Sequence, residues 1–180
     1  MTASPLAQVN DGFSLRSDSA RLVAFGYRSQ REVTVVRVLI AEDHPHVRRY
    51  VRDIIESRPG WEVCAETGDG GEVQALAAAT WPDVAVLDLS LPGVGGLALT
   101  QRLKETVPAL EVLILTMNDD EDMVERCLAA GARGYLLKTD AVQHLAPAIT
   151  ALSMGGTYLS PFVSDRLDDA EPPSPRRAAR

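Results

Sequence analysis

Five polar side chains stand at the ends of apolar, β-branched runs. Glu42 and Asp43 follow residues 33–41, Asp88 follows 84–87, Thr116 closes 112–116, and Lys138 closes 134–138. If those runs are strands of one sheet, three carboxylates, a hydroxyl and an ammonium converge from four strands. Grouping three carboxylates without compensation costs about several kcal/mol or drives a pKa upward. A divalent cation together with Lys138 relieves that repulsion. Magnesium suits such a set best, since it takes oxygen ligands, keeps waters, and is usually held by one or two carboxylates plus a phosphate oxygen. A carboxylate in that setting can attack an in-line phosphorus and form a mixed anhydride while metal and lysine neutralise the phosphoryl oxygens. Singly, each residue has an ordinary reading: Asp43 caps a helix, Asp88 caps a loop, and Thr116 or Lys138 means nothing. Four strand ends carrying this set in order favour the functional reading.

No zinc-type cluster competes. His44, His46 and His144 are scattered and read as surface or loop histidines, and Cys64 and Cys127 have no CxxC spacing. Two cysteines form no disulfide framework, and a reducing cytosol is the plain expectation.

The elements that must position these residues alternate five times between strand and helix. The first strand, 33–41, is apolar on both faces. Pro45 suits the first turn of a helix with Val47, Val51, Ile54 and Ile55 on one face, stopped by Arg58-Pro59-Gly60. Residues 61–67 read as a strand and 72–79 as an Ala-rich helix. Strand 84–88, helix 97–106 and strand 112–116 follow, and a helix begins within 118–122, where carboxylates suit the positive end of its dipole. Gly131 ends that helix, 134–138 is the fifth strand, and the last helix runs from about Asp140 to Met154. Five such units with mostly apolar strands argue for a parallel sheet covered on both faces. Right-handed crossovers make the flavodoxin-like doubly wound order 2-1-3-4-5 the expected one, with its working surface beyond the carboxyl ends of the strands.

The chain has 180 residues, 46% hydrophobic and 24% charged, with a net charge of -7. In residues 1–36 four arginines face three carboxylates, and from residue 170 three arginines face Glu171, so the middle of the chain holds the acidic excess. Such a middle is a poor surface for nucleic acid, whose phosphates need clustered Lys and Arg. No apolar run reaches the ~20 residues of a membrane span, and no secretory signal pattern opens the chain. Residues 1–32 lack any sustained period and read as a disordered or non-native extension, with translation starting near Val33 as one explanation. Residues 157–180 read as a linker remnant and a Pro-rich disordered tail, leaving 33–156 as the folded domain.

Four motifs carry a family resemblance. Ala41-Glu42-Asp43-His44-Pro45, Asp88-Leu89-Ser90-Leu91-Pro92-Gly93, Leu115-Thr116-Met117 and Gly131-Ala132-Arg133-Gly134-Tyr135-Leu136-Leu137-Lys138 occur in the order and spacing of a receiver domain. The core resembles the receiver domain of bacterial two-component response regulators, nearest to the LuxR/NarL-type subfamily. The resemblance implies that Asp88 is the phosphoacceptor and that Glu42, Asp43, Asp88 and the backbone carbonyl of Ser90 hold Mg2+. It implies that Thr116 and Lys138 hold the phosphoryl oxygens, and that Thr116 and Tyr135 form the switch, with Tyr135 turning inward behind the threonine. The commoner role of such a tyrosine is an ordinary half-buried strand aromatic. The implied partners are a sensor histidine kinase and either a downstream protein or a second copy, met through the face of the fourth helix, fifth strand and fifth helix. The domain is then a signalling module rather than an enzyme.

Two other readings compete. A Mg-dependent aspartyl phosphohydrolase of the haloacid-dehalogenase type carries a carboxylate two residues after its nucleophile, and that position here is Ser90. A DNA-binding regulator of the LuxR type carries a helix-turn-helix domain after the linker, but only 19 residues follow Pro161, and they hold no pair of amphipathic helices. No specific DNA binding by this chain alone is therefore expected, whether it is a stand-alone receiver or a truncated regulator. Pro147 falls inside the last helix, where it removes the bond to the Gln143 carbonyl and is expected to kink the readout face.

Overall fold

Successive residues along each central strand face opposite sides of the sheet, and in this chain both sides are apolar. Leu39, Ala41, Ala85, Leu87, Val112, Ile114, Tyr135 and Leu137 enter one cluster. Their neighbours Val38, Ile40, Val84, Val86, Leu113, Leu115 and Leu136 enter the other. Helices must then cover both faces. The computed structural model describes residues 35–169, with side chains through residue 165, and shows this arrangement.

The element order is β1 (Val36–Ala41), α1 (Pro45–Glu56), β2 (Trp61–Thr67), α2 (Val73–Thr80), β3 (Val84–Leu87), α3 (Gly96–Thr106), β4 (Glu111–Thr116), α4 (Glu121–Ala129), β5 (Gly134–Leu137), α5 (Ala141–Ser153), β6 (Tyr158–Leu159) and α6 (Pro161–Asp169). All pairings are parallel, and the sheet order is β2-β1-β3-β4-β5-β6. The chain reverses direction across the sheet between β1 and β3, so the crevice lies beyond Ala41 and Leu87. The flavodoxin-like order expected from the sequence is present, with one strand more.

That extra strand corrects the reading of the C-terminal segment. Residues 158–169 form β6 and α6 rather than a linker remnant. Tyr158 N–H donates to the Arg133 carbonyl and Ser160 N–H to the Tyr135 carbonyl, both at 3.0 Å. A two-residue strand leaves no periodicity to read, and Pro161 occupies the first turn of α6, where a proline is well placed. The extension at 1–32 and the tail beyond residue 169 lie outside the described residues.

Pro147 does not end the last helix, since α5 runs from Ala141 to Ser153 through it. The proline is on the exposed side of the helix, where water can serve the Gln143 carbonyl it deprives of a partner. Gly96 opens α3 against the loop after β3. A Cβ there would sit 2.5 Å from the Asp88 carbonyl oxygen, so only glycine lets α3 approach that loop so closely.

Candidate functional site

Glu42 and Asp88 leave β1 and β3 as their next residues, and both are 2% exposed. Backbone pairing continues past the strands, with Glu42 N–H donating to the Thr67 carbonyl at 3.0 Å and Asp88 N–H to the Ala41 carbonyl at 2.9 Å. These bonds fix where both carboxylates start. Lys138 does not extend β5, as the sequence suggested, but opens a short 3-10 turn, Lys138–Asp140. Its Nζ lies 2.8 Å from Glu42 Oε2 and 3.2 Å from Asp88 Oδ2. One ammonium thus bridges two buried carboxylates.

The charges push against burial. Burial raises the Glu42 carboxyl above the usual range, and the hydrogen bond and charge of Lys138 only partly offset it. Burial likewise works against the Lys138 ammonium, but Glu42 and Asp88 more than reverse this and hold its pKa above the ordinary lysine value. Asp88 Oδ1 is buried and has no hydrogen-bond partner among the described residues. An unpartnered buried carboxylate oxygen is a costly feature that a cation or a transferred group can satisfy.

Asp43 is not drawn to Lys138. Its Oδ1 pairs with His44 Nδ1 at 2.9 Å, and that hydrogen bond holds the Asp43 carboxyl below the usual aspartate range. Among the described residues, ligand atoms of Glu42, Asp43 and His44 lie within 4.8 Å of one another, a grouping that does not include Asp88. The structure therefore joins Glu42 to Asp88 through Lys138, and Asp43 to His44. His44, set aside as a loop histidine, is the residue that sequence reading missed, although its position directly after the acidic pair was the available signal. A second contribution was not legible at all: Arg48, one turn along α1, donates to the Glu42 carbonyl at 2.5 Å.

Thr116 ends β4 at 2% exposure, and its Oγ1 accepts the Asn118 N–H at 3.1 Å. The Asn118 carbonyl in turn accepts the Tyr135 hydroxyl proton at 2.8 Å. Tyr135 is fully buried, with its ring in the cluster that includes Val124, Cys127 and Ala132. Burial pushes the Tyr135 hydroxyl well above the usual phenol range. Ser90 lies in the exposed turn two residues after Asp88.

A model of the response regulator receiver domain family matches residues 38–150. The nitrate/nitrite response regulator protein NarP of Escherichia coli is 39% identical over 140 residues, covering 78% of this chain and 65% of that protein. The transcriptional regulatory protein DegU of Brevibacillus brevis is 35% identical, covering 73% of this chain and 56% of that protein. The chain thus spans about three fifths of the length of these curated relatives. Among solved structures, a LuxR-family two-component response regulator from Aurantimonas sp. superposes with a TM-score of 0.71 at 37% identity, covering 73% of this chain and 94% of that one. The isolated receiver domain of RcsB from Salmonella enterica, solved with beryllofluoride as phosphoryl mimic, gives 0.68 at 29% identity, covering 72% and 96%. No helix among the described residues is long and apolar enough to cross a membrane. Together with the strand order, these matches establish that the chain belongs to the response regulator receiver family, on the LuxR/NarL-type branch.

Proposed function

We propose that Asp88 accepts a phosphoryl group from a phosphohistidine of a sensor histidine kinase, and that the chain then signals by changing a protein-interaction face. The observation that carries this reading is the buried Asp88 carboxylate, with one oxygen on Lys138 and the other without a partner. Such a carboxylate has lone pairs to offer a cation and an electrophile at once. An Asp88 oxygen forms the new O–P bond as the donor's P–N bond breaks, and the departing imidazole keeps the electron pair and takes a proton.

The donor set fits magnesium: oxygen ligands only, more carboxylate charge than Lys138 balances, and an orphaned buried oxygen. Glu42, Asp43, Asp88 and the Ser90 carbonyl would hold it. When bound, it would neutralise the phosphoryl oxygens. Lys138 supplies a second positive charge from the turn after β5, and the Asp43–His44 pair favours the ionised Asp43 carboxyl. Thr116 accepts from Asn118, which leaves its own proton available to a phosphoryl oxygen. Movement of Thr116 toward that oxygen pulls on residue 118, and the Tyr135 hydroxyl, bonded to the same residue, stays inward with it.

The output is read by another protein or by a second copy meeting α4, β5 and α5; RcsB, a related protein, forms dimers that bind DNA. Specific DNA binding is not proposed for this chain. The domain is a signalling module acting in the cytoplasm, and any catalysis is confined to its own phosphorylation and dephosphorylation. Incubation with acetyl phosphate, followed by intact-mass measurement, tests the reading. A labile gain of one phosphate that needs Mg2+ and disappears in Asp88→Asn is expected, and phosphorylation without Mg2+ would overturn it.

A further inference from the structure

The segment after α5 is joined to the switch rather than trailing from the domain. β6 pairs in parallel with β5, setting Tyr135 opposite Leu159, and Ser160 N–H donates to the Tyr135 carbonyl. The chain then turns into α6, which packs on α4. Val163, in the first turn of α6, is 3% exposed and belongs to the same apolar cluster as Tyr135, Val124 and Cys127. A second tie lies on the other side of the sheet, where His144 Nδ1 on α5 and the Tyr158 hydroxyl of β6 are 2.6 Å apart. The backbone of β6 therefore holds Tyr135's own strand, and α6 adds Val163 to the apolar cluster that takes its ring.

We propose that Leu159 and Val163 are positioning residues for the switch: by walling the seat of the Tyr135 ring, β6 and α6 favour its inward state and thereby the phosphorylated form. This rests on the phosphoacceptor reading. The physical basis is burial. The inward ring has no exposed surface, and the cluster that holds it includes Val163, from a helix outside the five-unit core. Truncating Val163 opens the seat, so the inward state loses apolar contact while the outward state loses little. Linkage makes the coupling reciprocal, so whatever holds Tyr135 inward must also hold α6 in place. The metal carboxylates have no part in this contact and bind Mg2+ as before.

The test uses the whole chain with beryllofluoride as phosphoryl mimic. Wild type, Val163→Ala and a control at the exposed end of α5, Met154→Ala, are titrated by calorimetry with Mg2+ alone and then with beryllofluoride in saturating Mg2+. Hydrogen exchange of residues 158–165 is followed with and without the mimic. The expected result is beryllofluoride affinity about fivefold weaker in Val163→Ala, unchanged Mg2+ affinity in both variants, and slower exchange across 158–165 when the mimic binds wild type. Equal beryllofluoride affinity of wild type and Val163→Ala, with exchange at 158–165 indifferent to the mimic, would overturn the inference and leave the phosphoacceptor reading standing. Failure of wild type itself to bind the mimic would overturn both.

Discussion

The two ends of the sheet hold charged side chains in opposite ways. At the amino-terminal end, Arg37 on β1 donates from all three of its side-chain nitrogens. Its side chain donates to the Thr80 carbonyl at 2.8 and 3.2 Å and to Glu62 at 2.5 Å, and its backbone N–H donates to Asp83 at 2.8 Å. These groups are partly open to water, with 41% and 46% exposure for the Arg37–Glu62 pair, so water can serve the donors and acceptors left over. At the carboxyl-terminal end, Glu42 and Asp88 are 2% exposed and share one ammonium, with one Asp88 oxygen unserved. The first arrangement ties β1 to β2 and the α2–β3 connection. The second leaves a buried oxygen that a cation or a transferred group can satisfy. Glu111, at the start of β4, also has a buried oxygen without a hydrogen-bond partner, but two cations, Lys104 and Arg133, lie within 4 Å of it, whereas Glu42 and Asp88 have one ammonium between them.

Lys138→Met gives the largest expected effect. Removing the bridging ammonium leaves two buried carboxylates facing each other, and a loss of about 3 kcal/mol in urea unfolding is expected. A loss smaller than that of the Arg37 variant described below would break the contrast between the two ends.

Alkaline pH does the same without mutation. Lys138 has its folded pKa raised, so its contribution is fully present below the ordinary lysine value and is lost as pH rises through the higher folded value. The Cys127 thiol, pushed up to about 11 by burial, also loses stability between its ordinary value and that pH, so the comparison belongs in a Cys127→Ala background. In that background, stability should decline more steeply above pH ~10 with Lys138 present than in Lys138→Met. Parallel curves would show that the ammonium is not the group responsible.

Asp88→Asn sharpens the point from the other side. Relieving carboxylate repulsion on Glu42, which raises its pKa, should stabilise the metal-free protein by about 1 kcal/mol, whereas substitution in a satisfied network destabilises. Arg37→Ala is the matching measurement at the other end. Its exposed ion pair contributes little, but its bonds to the Thr80 carbonyl are lost, and a decrease of about 1 kcal/mol is expected. A thermal midpoint that falls in Asp88→Asn or rises in Arg37→Ala would reverse the assignment of roles.

How far these features could be read from sequence follows from the range of the signal. Strand β2 was legible at both ends because Gly60 and Gly68 bound a run of seven residues. The meeting of Glu42, Asp88 and Lys138 was legible because strand ends in a doubly wound sheet all face one crevice, so position along the chain stands in for position in space. Two things escaped that logic. β6 is two residues long, too short for a period, and its existence depends on the edge that β5 offers. The Asp43–His44 contact and the bond from Arg48 on α1 to the Glu42 carbonyl are set by side-chain directions, which spacing alone does not encode. Thr116 and Tyr135 were legible as neighbours of the site, but their shared attachment to Asn118 is made through backbone atoms, which carry no residue signature.

Chemical mapping of the phosphorylated residue tests the central claim most directly. Borohydride reduces an aspartyl phosphate to homoserine, so the protein treated with acetyl phosphate and Mg2+, reduced and digested, should yield homoserine at position 88 and nowhere else. Homoserine at another carboxylate, or phosphate that survives as a borohydride-resistant ester on a serine or threonine, would contradict the account.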